Sequence, residues 1–312
     1  MGRGPTWEAW EEEITWRYHQ EGRTIAETIQ ALKSRGSDRG ENSVRHKREG
    51  LRQVHSHISS SPDVSLIKLR KPRILYFDIE TTDFKGGPFG ELLMMGYRWE
   101  DEDDYKIIHI YDYKGWNKER LNLRDKQIVK AASEIISSAD VLVGHYSPRF
   151  DLPFIQTRLA VHRLPPVAEP KHIDTWRICA KQLAFSSNRL GKVAEYLGVP
   201  QQKGEVSLAT WRASKAHELW ALEELSEYCI QDVKTTYEVM QVLKPIAREW
   251  PSMNLLTGGM VYECPCGSYR VAKNGFYLTK VNKYDRYKCK DCGRWTRGRQ
   301  SVVDKATERM MK

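Results

Sequence analysis

The stretch "ILYFDIETTD", Ile74 to Asp83, constrains the fold of this chain more than any other. A run that is apolar on both faces reads as a strand buried inside a layered domain. It leads into Asp78 and Glu80, two residues apart, so both carboxylates leave the same face of the strand. Two like charges at the end of a buried strand are poorly solvated and repel. Protonation, a basic partner or divalent cations must compensate. No Lys or Arg stands near enough in sequence to be nominated. Cations fit if more carboxylates arrive from elsewhere in the chain.

No apolar run reaches the length of a membrane span, and no signal-peptide pattern opens the chain. The expected setting is therefore the cytoplasm; the small chain with its mixture of modules adds the expectation of a phage or other mobile-element protein, in a bacterial or phage-infected cell. The net charge of +9 is unevenly placed. Residues 252–312 carry 13 Lys and Arg against 5 acids, and residues 1–73 carry 14 against 10, whereas 74–251 holds 23 against 26. Basic flanks around a slightly acidic centre point to contact with polyphosphate. In the C-terminal flank Tyr269, Phe276, Tyr277, Tyr284, Tyr287 and Trp295 interleave with the basic residues. That mixture favours nucleic acid over ordinary solubilising charge, with Arg294, Trp295 and Arg297 as candidate contacts.

Three modules follow in order. In residues 1–54, Trp7, Trp10, Ile14 and Tyr18 keep helical spacing, and Gly22 is a natural stop. "TIAE", Thr24 to Glu27, fits a capping box at the start of a second helix through Ile25, Ile29 and Leu32. A third helix is expected through "NSVRHKREGLR", with Val44 and Leu51 inward and Arg45, Lys47 and Arg48 outward. Residues 55–69, Ser-rich at "HSHISSSPDVS", read as a linker. Residues 70–250 offer the strands "RILYFDIE", "ELLMMGYRW" and "YKIIHIYDY", a helix near 124–138, and a short strand "VLVGH". Helices are then expected at "DLPFIQTRLA", "IDTWRICAKQL", "RLGKVAEYLG" and about His217 to Leu243. The fold class is α/β, a mixed sheet flanked by helices.

Residues 258–300 hold four of the six cysteines, as "CPCG" (Cys264, Cys266) and "CKDCG" (Cys289, Cys292), around an Asn274-Gly275 hairpin signal. Paired cysteines on turns around a hairpin resemble a zinc ribbon, in which four thiolates close a tetrahedral structural Zn²⁺ site. Free or disulfide-bonded thiols are the alternative. Cys264 and Cys266 are one residue apart where the usual knuckle has two, so a distorted first knuckle is expected. Residues 301–312 form a tail. Cys179 and Cys229 sit in helical patterns and read as small buried residues.

Further carboxylates come from "GHYSPRFDLPFI", with Asp151 at a helix start, and from "EYCIQDVKTTY", with Tyr228 and Asp232 on one helix face. Each has a plainer reading, as a helix cap and as a surface pair. Together, "DIET", "FDLP" and "YCIQD" in this order resemble the three motifs of the RNase H-like DEDD 3′–5′ exonucleases. The Tyr four residues before the last Asp matches the branch that includes the proofreading domains of family B DNA polymerases. The resemblance implies that Asp78, Glu80 and Asp232 hold one Mg²⁺ or Mn²⁺. Asp78 and Asp151 would hold a second, roughly 4 Å away. Tyr228 would orient the attacking water. The family has an Asn soon after Gly-His where this chain has Tyr146, which puts the path of the substrate strand in question. His145, Tyr146 and Lys203 are candidate strand contacts.

The first module resembles a Myb-like helix-turn-helix domain, through "EGRTIAETI" and "ENSVRHKREGL". That resemblance implies a third helix in the major groove, with Asn42, Arg45, His46 and Arg48 as candidate contacts. A protein-binding three-helix domain is the alternative. The combined expectation is a metal-dependent 3′–5′ exonuclease on DNA, with a single-stranded 3′ end at the carboxylates and duplex at the helix-turn-helix. An exoribonuclease and a non-catalytic DNA-binding adaptor stay open.

Overall fold

The computed structural model describes residues 7–58, 72–83, 87–114, 116–118, 123–200, 206–251 and 264–303. The linker reading fails at its start, because residues 55–58 continue the third helix (Glu41–Ile58); the rest of it and Lys203 fall outside the described residues. The chain divides into two compact units, one over 72–251 and one drawn from the two flanks.

The central unit is built on the strand that the carboxylates end. Strand β1 (Ile74–Thr81) is the middle of a five-stranded sheet with β2 (Leu92–Trp99), β3 (Lys106–His109), β4 (Val141–Gly144) and β5 (Lys171–Asp174). The order is β3-β2-β1-β4-β5. β1 runs antiparallel to β2 and parallel to β4, and β4 runs parallel to β5. Every residue of β1 is buried except the half-buried Asp78, as a run apolar on both faces requires. Helices α4 (Lys126–Ser137) and α5 (Asp151–Val161) pack together. α6 (Thr175–Gln182), α7 (Leu190–Leu197) and α8 (Leu208–Lys215) pack against the long α9 (Leu219–Leu243), which lies on β1 and β2.

Three elements differ from the sequence reading. "IDTWRICAKQL" is not one helix: Ile173 and Asp174 end β5, and α6 begins at Thr175. Ile173 is buried and extends the apolar sheet, while the Asp174 carboxylate accepts the Trp176 amide and caps the helix. "YKIIHIYDY" is a strand only to His109, and a 3-10 turn follows. α8 is a separate helix before α9. Ser207 caps it by accepting the Thr210 amide at 3.0 Å, a Ser-x-x-Thr signal that the sequence carried.

In the flanking unit, α1 (Ala9–Gln20), α2 (Ile25–Lys33) and α3 (Glu41–Ile58) close over Ile14, Leu32 and Val44, with Trp7, Trp10, Tyr18, Ile25 and Ile29 around them. The capping box at Thr24 and Glu27 forms: Thr24 N–H donates to Glu27 Oε2 at 2.7 Å, and Glu27 N–H to Thr24 Oγ1 at 3.2 Å. Arg48 does not face outward. Its guanidinium donates to the carbonyls of Arg23 and Thr24 and to the Thr28 hydroxyl, so it ties α3 to the start of α2. Asn42, Arg45 and His46 are exposed, and Arg45 pairs with Glu41 at 2.7 Å.

The C-terminal strands β6 (Val271–Leu278), β7 (Lys283–Cys289) and β8 (Trp295–Ser301) form an antiparallel sheet, order β6-β7-β8. The sulfurs of Cys264 and Cys292 stand 3.4 Å apart and those of Cys266 and Cys289 3.8 Å, far longer than the roughly 2.05 Å of a disulfide. All four lie within 4.8 Å of one another. Zinc–sulfur bonds of about 2.3 Å put the corners of a tetrahedron about 3.8 Å apart, so this donor set fits a zinc ion. The short Cys-x-Cys spacing does not pull Cys266 away. Gly267 takes a left-handed φ of 82° and closes the turn by donating its N–H to the Cys264 carbonyl at 2.8 Å.

Among the described residues no helix is long and apolar enough to cross a membrane.

Candidate active site

Four carboxylates come from three elements of the central unit. Asp78 and Glu80 leave the carboxyl end of β1. This is where the sheet changes from antiparallel to parallel pairing, a place where α/β sheets leave a crevice. Asp151 opens α5, but its carboxylate does not cap that helix: Phe150 is the cap residue, and Asp151 Oδ1 instead accepts the β1 amide of Ile79 at 3.2 Å. Asp232 comes from the middle of α9, one turn after Tyr228, which hydrogen-bonds it.

Gly96 explains how a helix reaches these strand carboxylates. It pairs directly with Asp78 across β1 and β2. A Cβ there would sit 3.0 Å from Cys229 Sγ and 3.2 Å from Val233 Cγ2, both on α9. Without that carbon, α9 settles onto the sheet at the carboxylates. The buried Cys229 thiol then donates to the Asp78 carbonyl at 3.6 Å.

The electrostatics are those of a crowded acidic site. Glu80 is 6% exposed and Asp151 4%. Burial, then Asp151, Glu80 and Asp232, pushes the Asp78 carboxyl well above the usual carboxylate range. Burial, then Asp232 and Asp151, does the same to Glu80. Burial raises Asp151 to about 7 against the pull of the Ile79 amide, and Asp174 adds to the rise. Among the described residues, the charged groups acting on these three are carboxylates. Burial, then the neighbouring Asp232 and Glu80, raises the Tyr228 phenol, so it keeps its proton at neutral pH. An oxygen-only donor set crowded this way fits hard divalent cations such as Mg²⁺ or Mn²⁺.

Around this centre, two expected strand contacts take definite roles. His145 is half-buried and both ring nitrogens are engaged: Nε2 donates to the Asn188 carbonyl at 2.9 Å and Nδ1 meets the Thr175 hydroxyl at 2.8 Å. The ring braces α6 against the loop before α7 and is not open to a substrate. Tyr146 is 40% exposed and takes a left-handed φ of 66°, rare for an aromatic residue. Asp174 holds that conformation by accepting the Tyr146 amide at 2.8 Å. Trp176 meets the ring edge-on, 5.3 Å away, and the Arg149 guanidinium lies over both rings.

Cys229, Gly96 and Asp174 were missed as parts of this site. Only the pairing of Gly96 with Asp78 reveals the first two. Asp174 carried a signal, an Asp one residue before a helical run.

His145 and His172 give a pH test of the region. Burial holds each imidazole down at about 4, although the Asn188 carbonyl works against this for His145. Between about pH 6.5 and 4 the unfolded chain takes up a proton at each and the folded chain does not, so stability falls with pH through that window. The expected loss from pH 7 to 5 is about 2 kcal/mol per histidine. The buried carboxyls work in the opposite sense, so the measurement is a difference. Urea unfolding at both pH values should show His172→Gln losing about that much less than the parent.

The family model that describes the RNase H superfamily matches residues 75–244. Relatives include DNA polymerases of Pyrococcus glycovorans (26% identical over 211 residues) and Desulfurococcus sp. strain Tok (24% over 242 residues). Their alignments cover 56% and 69% of this chain, and the chain spans only 25% and 30% of those polymerases. A third, from Thermococcus litoralis, is 23% identical over 209 residues and is covered over 12% of its length. Among solved structures, the family B DNA polymerase from Pyrobaculum calidifontis aligns at a TM-score of 0.46 and 19% identity, covering 63% of this chain and 27% of that one. A sheet of mixed sense flanked by helices, carboxylates gathered at the end of its central strand, and a family match over more than half of its length lead to one conclusion: this chain belongs to the RNase H superfamily.

Proposed function

We propose that the chain is a 3′–5′ exonuclease that hydrolyses phosphodiester bonds of DNA with two divalent cations. The observation that carries this reading is the convergence of Asp78, Glu80, Asp151 and Asp232, with Tyr228 bonded to the last of them. Asp78, Glu80 and Asp232 would hold one Mg²⁺ or Mn²⁺, and Asp78 with Asp151 the other. Such ions lower the pKa of a bound water and stabilise the leaving oxygen. The protein's part is positional. Glu80 and Asp78 project from a buried strand that cannot swing, and the Cys229 thiol and the Asp151 carboxylate fix the backbone on either side. The Tyr228 hydroxyl, protonated at neutral pH, orients the attacking water. Asp232, accepting from that hydroxyl, sets the angle of the ring.

Under this reading the flanks hold substrate. Asn42, Arg45 and His46 on α3 would meet duplex phosphates and groove edges, as in a helix-turn-helix, and the C-terminal sheet with its structural Zn²⁺ would give a second grip.

The test uses single strands labelled at either end, with Mn²⁺ supplied. The 3′-labelled strand should release labelled mononucleotide from the first turnover. The 5′-labelled strand should shorten stepwise while keeping its label. Internal cuts, or release that does not depend on the metal, would contradict the proposal. Matched RNA strands measure the preference between the two polymers.

A further inference from the structure

The C-terminal sheet has two faces of different chemistry. Side chains alternate along β7, so Tyr284, Arg286 and Lys288 share one face and Lys283, Asp285 and Tyr287 the other. The pairs Tyr277↔Tyr284, Arg286↔Arg297 and Lys288↔Trp295 bring Tyr277, Arg297 and Trp295 onto the first face. That face therefore carries three aromatic rings and three cations. The three strands contain a single acid, Asp285, which lies on the opposite face and pairs with Lys273 at 2.8 Å.

Rings and cations on the first face interleave. The Arg297 guanidinium lies 4.3 Å from the Tyr284 ring centroid and 5.4 Å from that of Tyr277. Arg286 lies 4.4 Å and Lys288 5.4 Å from the centroid of Trp295. Tyr277 and Trp295 are each 46% exposed, and Lys288 and Arg297 are exposed as well. Among the described residues none of these three cations has a carboxylate partner. Stacking holds each guanidinium flat; Arg286 gives its Nε–H to the Asn274 carbonyl at 3.0 Å, and its terminal N–H groups, like those of Arg297, are the ones placed to meet phosphate. The rings offer π-faces, and only unstacked bases can lie on them, since a duplex buries its base faces.

We infer that this face binds single-stranded nucleic acid, with bases stacked on Tyr277, Tyr284 and Trp295 and phosphates met by Arg286, Lys288 and Arg297. The inference does not rest on the nuclease reading, and its test needs no cleavage.

The test uses the full chain carrying Asp78→Ala, so that no strand is cut, and omits chelators, so that the cysteine site keeps its metal. Fluorescence anisotropy follows labelled oligo(dT), oligo(rU) and a duplex of equal length. Tyr284→Ala with Trp295→Ala should weaken single-strand binding roughly ten-fold or more. Arg297→Gln should lower the slope of log affinity against log salt by about 0.7. Phe276→Ala, on the opposite face, should leave both unchanged. The dT and rU arms say which polymer is preferred, and a loss in either supports the inference. Zinc content reports whether the double variant is folded. If it loses zinc, Lys288→Gln with Arg297→Gln, both at exposed residues, gives the decision. Unchanged single-strand affinity and salt slope in zinc-loaded variants, or a loss confined to the duplex, would overturn the inference.

Discussion

Asp78→Ala is expected to lower metal-dependent phosphodiester hydrolysis by about a thousand-fold or more. Asp78 is the one carboxylate assigned to both cations, so its loss disturbs both. Cation stabilisation of a phosphoryl transition state is worth several kcal/mol, and each factor of ten in rate is about 1.4 kcal/mol. The same change should raise the melting temperature of the metal-free protein, because Asp78 is pressed by Asp151, Glu80 and Asp232 and its removal relieves that repulsion. Asp78→Asn, which keeps the shape, should behave alike in both assays. An inactive variant that is also less stable would point to misfolding instead. Calorimetric unfolding beside single-turnover hydrolysis separates the two.

Arg158→Met is expected to destabilise the central unit by about 3–5 kcal/mol, the usual cost of stranding one member of a buried ion pair. Arg158 and Asp125 are both fully buried. Arg158 donates Nε–H to Asp125 Oδ2 at 2.8 Å and Nη2–H to Oδ1 at 2.6 Å. It also reaches the carbonyls of Gly87 and Pro88, while His162 and the Leu92 amide bond to the same carboxylate. Despite burial, the bonds from His162 and Arg158 hold Asp125 below the usual carboxylate range. This group joins the residue before α4, helix α5 and the start of β2, the strand that carries Gly96. Replacing Asp125 by Leu as well should recover part of the loss, because no charge is then left unpaired. Urea unfolding of the two single variants and the double variant reads the coupling directly.

Much of the site could be read in the sequence because its information is local. Asp78 and Glu80 share a face by the period of a strand, Tyr228 and Asp232 by the period of a helix, and Thr24 with Glu27 by the span of one turn. What stayed hidden depends on partners distant in the chain. Arg158 looks like any surface arginine on α5 until Asp125, 33 residues earlier, is folded against it. Arg48 reads as a groove contact until the carbonyls at the start of α2 claim it. β5 is too short, at four residues, to stand out beside the helix it runs into. Gly96 carries no signal of its own, since its meaning is the helix on the far side of the missing side chain.

Under the proposed function, four carboxylates from β1, α5 and α9 form a divalent-cation site. Crystals soaked with Mn²⁺ and a short single strand test it most directly, through the anomalous signal of the metal. Mn²⁺ peaks bounded by Asp78, Glu80, Asp151 and Asp232 are expected, and none there in Asp78→Ala. Fully loaded crystals with no peak among those carboxylates, or with Mn²⁺ held elsewhere, would contradict it.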